Sequence, residues 1–402
     1  MPVAPYIREL MSSSSFIRKM FEEGLQLKAE FGEDKVYDFS IGNPDLEPPA
    51  KVKKMLAELG NSTVKGLHGY MPNAGYKDTR AAMARKVSAE QGVPLDFSRV
   101  VMGVGAAGAM NSVLKAILSP GDEVIVTAPF FVEYTQYVRN HGGTLKPVPA
   151  GTGFSIDPQA IAGALNGKTA AVIVNSPNNP TGKIYTEREI ADLAAVLAKH
   201  RSQTGRSVVI IADEPYREIV YDKRKVAPIF PLWDDSVVVS SFAKNLSLPG
   251  ERIGYVAVNP ASKDAQELTD AVIYATRILG YVNAPATFQR IAAECWNEPV
   301  DYSSYEIRRN TLTSILKAAG IEYAEPEGAF YLFCKVPPKN AAGKDGEGDD
   351  AAFCDHLKKY RILGVPGRGF GKSGWFRLAY CVSLQSIRGS ETPFRQAAAD
   401  WK

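Results

Sequence analysis

The middle of the chain is written in short apolar runs spaced for a sheet. Residues 100–104, 122–127, 170–174, 208–212 and 237–240 are brief stretches dominated by Val, Ile, Ala and Thr. Longer stretches with helical character separate them. The clearest is 186–200, where Thr186 is followed three residues on by Glu189 in the pattern of a capping box. Buried strands alternating with helices predict an α/β fold, a large domain whose mostly parallel sheet is covered by helices on both faces. Ligands of such sheets gather at the carboxyl ends of the strands. The chain's polar motifs fall there, just after the apolar runs.

The rhythm changes near residue 290. Helical stretches dominate, and strands are expected at 330–336 and 375–380. A length of 402 residues suits two domains. The predicted division is a large domain over 46–290 and a smaller, discontinuous α+β domain built from 1–45 and 291–402. Residues 337–350 are rich in Pro, Gly, Lys and Asp and read as an exposed mobile loop without chemistry. There is no internal repeat.

Composition excludes several classes. The 47 basic and 44 acidic side chains leave a net charge of +3, so no face for nucleic acid is expected. The N-terminal 24 residues carry Arg8, Glu9, Arg18, Lys19, Glu22 and Glu23 with no long apolar run after them. No signal peptide and no membrane span are expected. The four cysteines (Cys295, Cys334, Cys354, Cys381) are far apart, and the four histidines are scattered. No metal site is expected, and a reducing, cytoplasmic setting fits best.

Lys244 is the pivotal residue. It stands in Ser241-Phe242-Ala243-Lys244-Asn245, with Arg252 eight residues on, in Arg252-Ile253-Gly254-Tyr255. A lysine amine condenses with a carbonyl to give a Schiff base. Ser241 and Arg252 are suited to a phosphate. A carbonyl compound that also carries a phosphate, such as pyridoxal 5'-phosphate, would need both kinds of partner. Its other needs can be searched for. Asp213, in Asp213-Glu214-Pro215-Tyr216, could keep a pyridine nitrogen protonated. Tyr216 and Asn179, the latter in Asn178-Asn179-Pro180-Thr181-Gly182, could face a phenolic oxygen. The small residues of Gly103-Val104-Gly105-Ala106-Ala107-Gly108-Ala109-Met110-Asn111 could let a phosphate approach the backbone, where free N–H groups at a helix start would hold it. Phe131 could stack on a flat ring. Arg377, inside an apolar strand, could bind an α-carboxylate through two parallel hydrogen bonds.

Each feature also has a plain structural reading. Asp213 could end a strand in an acidic turn, and Asn179 could serve a simple Asn-Pro turn. Gly-rich turns are frequent, and Phe131 alone is more often a core aromatic. Arg377 could lie on a solvated edge or pair with a protein carboxylate.

Together the motifs resemble the class I/II aminotransferases of pyridoxal-phosphate fold type I, the group that includes aspartate aminotransferase. The resemblance runs from Gly42-Asn43-Pro44-Asp45 to Phe376-Arg377-Leu378 and includes Pro326-Glu327-Gly328-Ala329-Phe330-Tyr331. It implies that Lys244 carries the cofactor as an internal aldimine and that Asp213 pairs with the pyridine nitrogen. Asn179 and Tyr216 would stand at the ring hydroxyl. Ser241, Arg252, Gly105 and the amides of Ala106 and Ala107 would surround the phosphate. Gly42, Asn179 and Arg377 would meet the substrate. Tyr70 resembles the tyrosine that reaches the phosphate of a neighbouring subunit, which implies a homodimer with shared active sites. Two positions depart from the family pattern: Phe131, where many relatives have Tyr or Trp, and Ala243, where Ser is usual.

The expected activity is a ping-pong amino transfer, by way of aldimine and ketimine, between an L-amino acid and a 2-oxo acid. In it the freed Lys244 amine is the base. β-Elimination, decarboxylation and oxidation begin from the same adduct and are the alternatives within enzymes. A non-catalytic pyridoxal-phosphate sensor is the alternative outside them. Substrate choice stays open among aspartate, alanine, aromatic and branched donors. Arg277 lies in the region where some relatives place a cation for a second carboxylate, but its local match is poor.

Overall fold

The computed structural model describes residues 2–12, 16–338 and 348–401. Residues 339–347 of the expected mobile loop lie outside that description. A seven-stranded sheet organises the larger part. Its strands lie in the order Val100–Val104, Ile253–Val258, Ser236–Ser241, Val209–Asp213, Thr169–Asn175, Glu123–Ala128, Thr144–Pro149. Every pairing is parallel except the two made by Ile253–Val258.

The strands explain their own composition. Successive residues of 171–174 and 210–212 alternate between two hydrophobic cores. Val172, Val174, Ile210 and Ala212 belong to one, and Ala171, Ile173 and Ile211 to the other. Both faces are therefore dry, and no strand position can be polar without a purpose. The helices Lys77–Gln91 and Glu187–Thr204 cover the first face through Met83, Val87, Leu193 and Leu197. The helices Gly105–Ile117 and Ala265–Ile278 cover the second through Val113, Leu114 and Val272. Glu187–Thr204 begins with the capping box read from sequence, Thr186 and Glu189 each holding the other's backbone N–H.

Two strands of this sheet were hidden from the pattern. Ile253–Val258 is sheet backbone, although its first residues read only as part of the lysine motif. Thr144–Pro149 contains Pro147 and Pro149, which argue against a strand, yet it lies at the sheet edge where proline is tolerated.

A second sheet of four antiparallel strands takes the order Val365–Pro366, Trp375–Ala379, Tyr331–Lys335, Tyr323–Ala324. Leu312 and Leu316 of the helix Ser303–Ala318, and Phe353 and Leu357 of Asp350–Lys358, pack against it. The N-terminal strand Tyr37–Asp38 joins the same region by pairing in parallel with Ile362–Leu363. Among the described residues no helix is long and apolar enough to cross a membrane.

Gly254 shows how tightly the central strands carry the loops above them. A Cβ there would lie 2.6 Å from the backbone carbon of Gly105 and 2.6 Å from the carbonyl oxygen of Ser240. Both neighbours are main chain and cannot swing aside. Gly254→Ala should lower the unfolding free energy in urea by about 1–3 kcal/mol, the usual effect of overpacking; an unchanged midpoint would show that the strands separate freely.

Candidate active site

The ends of several strands meet over one cavity of about 370 Å³. Asp213 ends one strand, Asn175 the next, and Ser241 a third. Lys244 follows three residues after Ser241. Ala106 and Ala107 enter from the first turn of Gly105–Ile117, and Arg377 comes across from the antiparallel sheet. Phe131, Asn179, Tyr216, Arg252 and Gly42 complete the predicted residues in its lining.

The amine of Lys244 donates to the Gly42 carbonyl at 2.7 Å and stands over the rings of Phe330 and Tyr216, 5.4 and 5.8 Å away. Burial is the main reason that its pKa falls to about 8; Cys381 opposes the shift, and the Arg377 and Arg252 charges add to it. A lysine at that value holds a sizeable neutral fraction near pH 7–8, which an ordinary surface lysine does not.

Asp213 is buried, and burial lifts its carboxyl pKa to about 6. The Tyr134 hydroxyl donates to its Oδ2 and favours the charged form. The Asn175 amide donates to the Asp213 carbonyl at 2.9 Å and lies 3.4 Å from Oδ2. The other end of Asn175 accepts the backbone N–H of Asn179 at 2.8 Å, so one side chain ties the two polar motifs together.

Arg377 is 2% exposed and has no carboxylate partner among the described residues. Its Nη1 donates to Asn179 Oδ1 at 3.1 Å and its Nη2 to the Ser40 carbonyl at 2.6 Å. Its Nε is buried without a hydrogen-bond partner. The guanidinium lies over the rings of Tyr331 and Phe370. Neither plain reading of this arginine holds among the described residues: it is not on a solvated edge, and no carboxylate of theirs neutralises it. A buried cation with neutral acceptors and one unused N–H is suited to a small anion. Because Asn179 offers its oxygen to Arg377, its amide N–H₂ remains to donate elsewhere.

Tyr216 hydrogen-bonds Tyr331 through their hydroxyls at 2.8 Å. A Cβ on Gly42 would collide with that same Tyr331 hydroxyl, so the glycine makes room for the tyrosine pair. Gly105 has a φ of 66°, and a Cβ there would come within 2.6 Å of Arg252 Nη2. That brings the Arg252 guanidinium over the start of the helix that carries Ala106 and Ala107.

Gly105 adjoins the lining without belonging to it, and two other candidate residues lie elsewhere. Tyr70 is 93% exposed and is not in the cavity lining of its own chain. Arg277 is exposed in the last turn of Ala265–Ile278 and is likewise outside the lining. Sequence reasoning passed over Tyr134, Asn175, Tyr331 and the Ser40 carbonyl. Tyr331 stands inside a quoted motif and Tyr134 three residues after Phe131, but only the fold reveals their partners. Asn175 carried a usable signal: a polar residue ending a wholly buried strand, opposite Asp213 in the parallel ladder.

A larger hollow of about 930 Å³ lies between Pro147–Phe154, Thr181, Lys183, Tyr323–Glu327 and Gly371–Trp375. Its Lys183 and Glu327 pair with each other, and it contains none of the groups just described. The titratable and anion-seeking groups are gathered in the smaller cavity.

The profile of the family described as "Aminotransferase class I and II" matches residues 34–388. The chain belongs to that family. The aspartate aminotransferase of Thermotoga maritima is 31% identical over 378 residues, 92% of this chain and 94% of that protein. A probable aspartate/prephenate aminotransferase of Aquifex aeolicus is 31% identical over 366 residues, 88% of each chain. Among solved structures, an amino transferase from Eubacterium rectale superposes with a TM-score of 0.94 at 39% identity, covering all of both chains. The Thermus thermophilus aspartate aminotransferase crystallised with maleate gives 0.86 at 26% identity, covering 99% of this chain and 100% of that one. The protein is thus an enzyme that transfers amino groups, of the α/β architecture predicted.

In this aminotransferase the Asp213 carboxylate is a burden on the ligand-free fold. Its folded pKa is raised above the value near 4 of an unfolded chain. The cost of ionising it is therefore absent below about pH 4, grows as pH rises, and is complete above about pH 6. Tyr134 reduces that cost. Tyr134→Phe should destabilise the ligand-free protein by about 1–2 kcal/mol more at pH 8 than at pH 4, read by urea unfolding. Equal losses at both pH values would separate the two side chains energetically.

Proposed function

We propose that this aminotransferase holds pyridoxal 5'-phosphate in the 370 Å³ cavity and moves an amino group between an L-amino acid and a 2-oxo acid in two half-reactions. The observation that carries this reading is the placement of a pKa-lowered Lys244 beside an anion-seeking Arg377 and opposite Asp213 in one lining. The donor set fits the cofactor. Ser241, Arg252 and the N–H groups of Ala106 and Ala107 would hold its phosphate, with Gly105 leaving room for the guanidinium. Phe131 would cover the ring, Asp213 would face its nitrogen, and Asn179 and Tyr216 its phenolic oxygen. Lys244 would join its carbonyl carbon. When bound, the group supplies the electron sink that a carbanion at the substrate α-carbon requires.

This chain's residues do the rest. Arg377 receives the α-carboxylate through its guanidinium edge, and the unpaired Nε gains a partner. Asn179 and the Ser40 carbonyl fix the plane of that guanidinium. The Lys244 amine, once free, accepts the α-proton at Nζ and returns it from the same atom, which a pKa near 8 allows in both directions. Tyr134 favours the charged form of Asp213, and Asn175 keeps it aimed. Tyr331 can donate to Tyr216, freeing the Tyr216 hydroxyl proton for the ring oxygen.

The same reading divides the chain into 46–290 and the pair 1–45 and 291–402. It includes a homodimer in which Tyr70 reaches the partner's phosphate. Exposed Val64, Tyr70, Tyr274 and Ile278 support a covered surface there. The segments that carry them meet where Asn73 donates to the Val282 carbonyl at 3.0 Å. A cytoplasmic setting is supported by four free, buried cysteines. We take aspartate as the first donor to test, because the Thermotoga maritima relative is named for it.

A panel of amino acids mixed with the loaded enzyme should convert the cofactor absorbance to that of the amine form, with aspartate among the effective donors. Release of ammonia, carbon dioxide or peroxide without that conversion would contradict the reading. Arg377→Lys should lower kcat/KM for every donor by about tenfold or more, since one ammonium cannot replace a planar fork. Lys244→Ala should abolish exchange of the α-proton with solvent, followed by NMR; retained wild-type exchange would contradict the role of its amine.

A further inference from the structure

The stretch 242–252, which carries Lys244, runs between two strands without a ladder of its own, and Ser247 and Arg252 take positive φ values of 53° and 51°. Such a loop aims a side chain only if something else pins it. The pin is at Asn245, which is 4% exposed and fully engaged. Its amide nitrogen donates to Glu218 Oε1 at 2.8 Å. Its side-chain oxygen accepts the Leu246 N–H at 3.0 Å, and its carbonyl accepts the Tyr302 hydroxyl at 2.9 Å.

Glu218 is the hub of this arrangement. The Lys86 amine donates to the same Oε1, and the Tyr302 hydroxyl lies 3.4 Å from Oε2. Lys86 is 6% exposed and also pairs with Glu90 at 2.8 Å, one turn along its helix. The cluster draws on the helix Lys77–Gln91, the turn after Asp213, the residue after Lys244 and the start of the helix Ser303–Ala318. None of Lys86, Glu90, Glu218, Asn245 and Tyr302 lines the cavity. An ion pair with a buried lysine and a half-buried glutamate is weak support for stability, because desolvation of the amine offsets much of the attraction. What it supplies is a fixed geometry.

We propose that Glu218 and Tyr302 are positioning residues for the proton transfer: they hold both faces of Asn245 and thereby fix the arc through which the Lys244 amine swings. Lys86 holds Glu218 in place for that task. The inference rests on the function proposed above. It adds residues that touch neither cofactor nor substrate and act through the main chain of Lys244. Because the pinned group is the base and not the substrate anchor, their loss acts on the chemical step and leaves binding intact.

The test uses loaded Glu218→Gln and Tyr302→Phe enzymes. Each is compared with wild type in the amino-donor half-reaction, in the pH titration of the cofactor absorbance, and in thermal unfolding. A small misplacement of a catalytic group costs up to about a hundredfold, so a fall of about tenfold in kcat is expected in each variant. KM should stay within about twofold, the signature of an interaction used in the transition state. The midpoint of the absorbance titration should move in both variants, since it reports the surroundings of the Lys244 nitrogen. Tyr302→Phe removes one hydroxyl from a half-buried ring and carries the test if Glu218→Gln does not fold. Unchanged kcat and unchanged titration, whether or not the melting temperature falls, would overturn the inference. If wild type develops no titrating band with pyridoxal 5'-phosphate, the parent reading fails and takes this one with it. A normal wild-type band with unaffected variants overturns this one alone.

Discussion

An amine held where its charge is poorly solvated is the constraint on which this structure turns. Lys244 sits in a protein-walled cavity with Arg377 and Arg252 nearby, and its pKa falls to about 8. Burying a lysine beside two arginines works against folding, so its position calls for a task. Its neighbours fit one. Arg377 is a buried cation without a counter-charge among the described residues, and Asp213 is a buried acid whose supporting donors are neutral. Each is costly alone, and each would be compensated by a ligand with an anionic and a cationic end.

The sheet makes that arrangement possible. Its strands are dry on both faces, so their carboxyl ends are the natural place for polar side chains that need a rigid base. Asn175 and Asp213 are paired partners in neighbouring parallel strands, which puts their side chains in reach of each other without any loop rearrangement. From Tyr134 through Asp213, Asn175 and Asn179 to Arg377, consecutive hydrogen bonds link the two ends of the cavity. The chain crosses from one sheet to the other at Asn179 and Arg377. Any shift of one sheet relative to the other must therefore pass through the site.

Much of this was legible in the sequence, and the residues show why. Asp213, Asn179, Ser241 and Lys244 each follow or end an apolar run, so motif and strand end could be read together. Arg377 stood out because charge is rare within an apolar strand. What stayed hidden depends on pairings distant along the chain. Tyr134 meets Asp213 across 79 positions and Tyr331 meets Tyr216 across 115. No local pattern encodes such contacts. The strand Thr144–Pro149 was masked by prolines that only an edge position permits. Tyr70 reads as a site residue through the family resemblance, whereas in a single chain it is simply an exposed ring.

The central claim is that the Lys244 nitrogen bonds the cofactor carbonyl carbon. Its most direct test is borohydride reduction of the protein loaded with pyridoxal 5'-phosphate, followed by peptide mass mapping. The account predicts one pyridoxyl adduct per chain, on the peptide that contains Lys244. An adduct on another lysine, or none after reduction of a fully loaded sample, would contradict it.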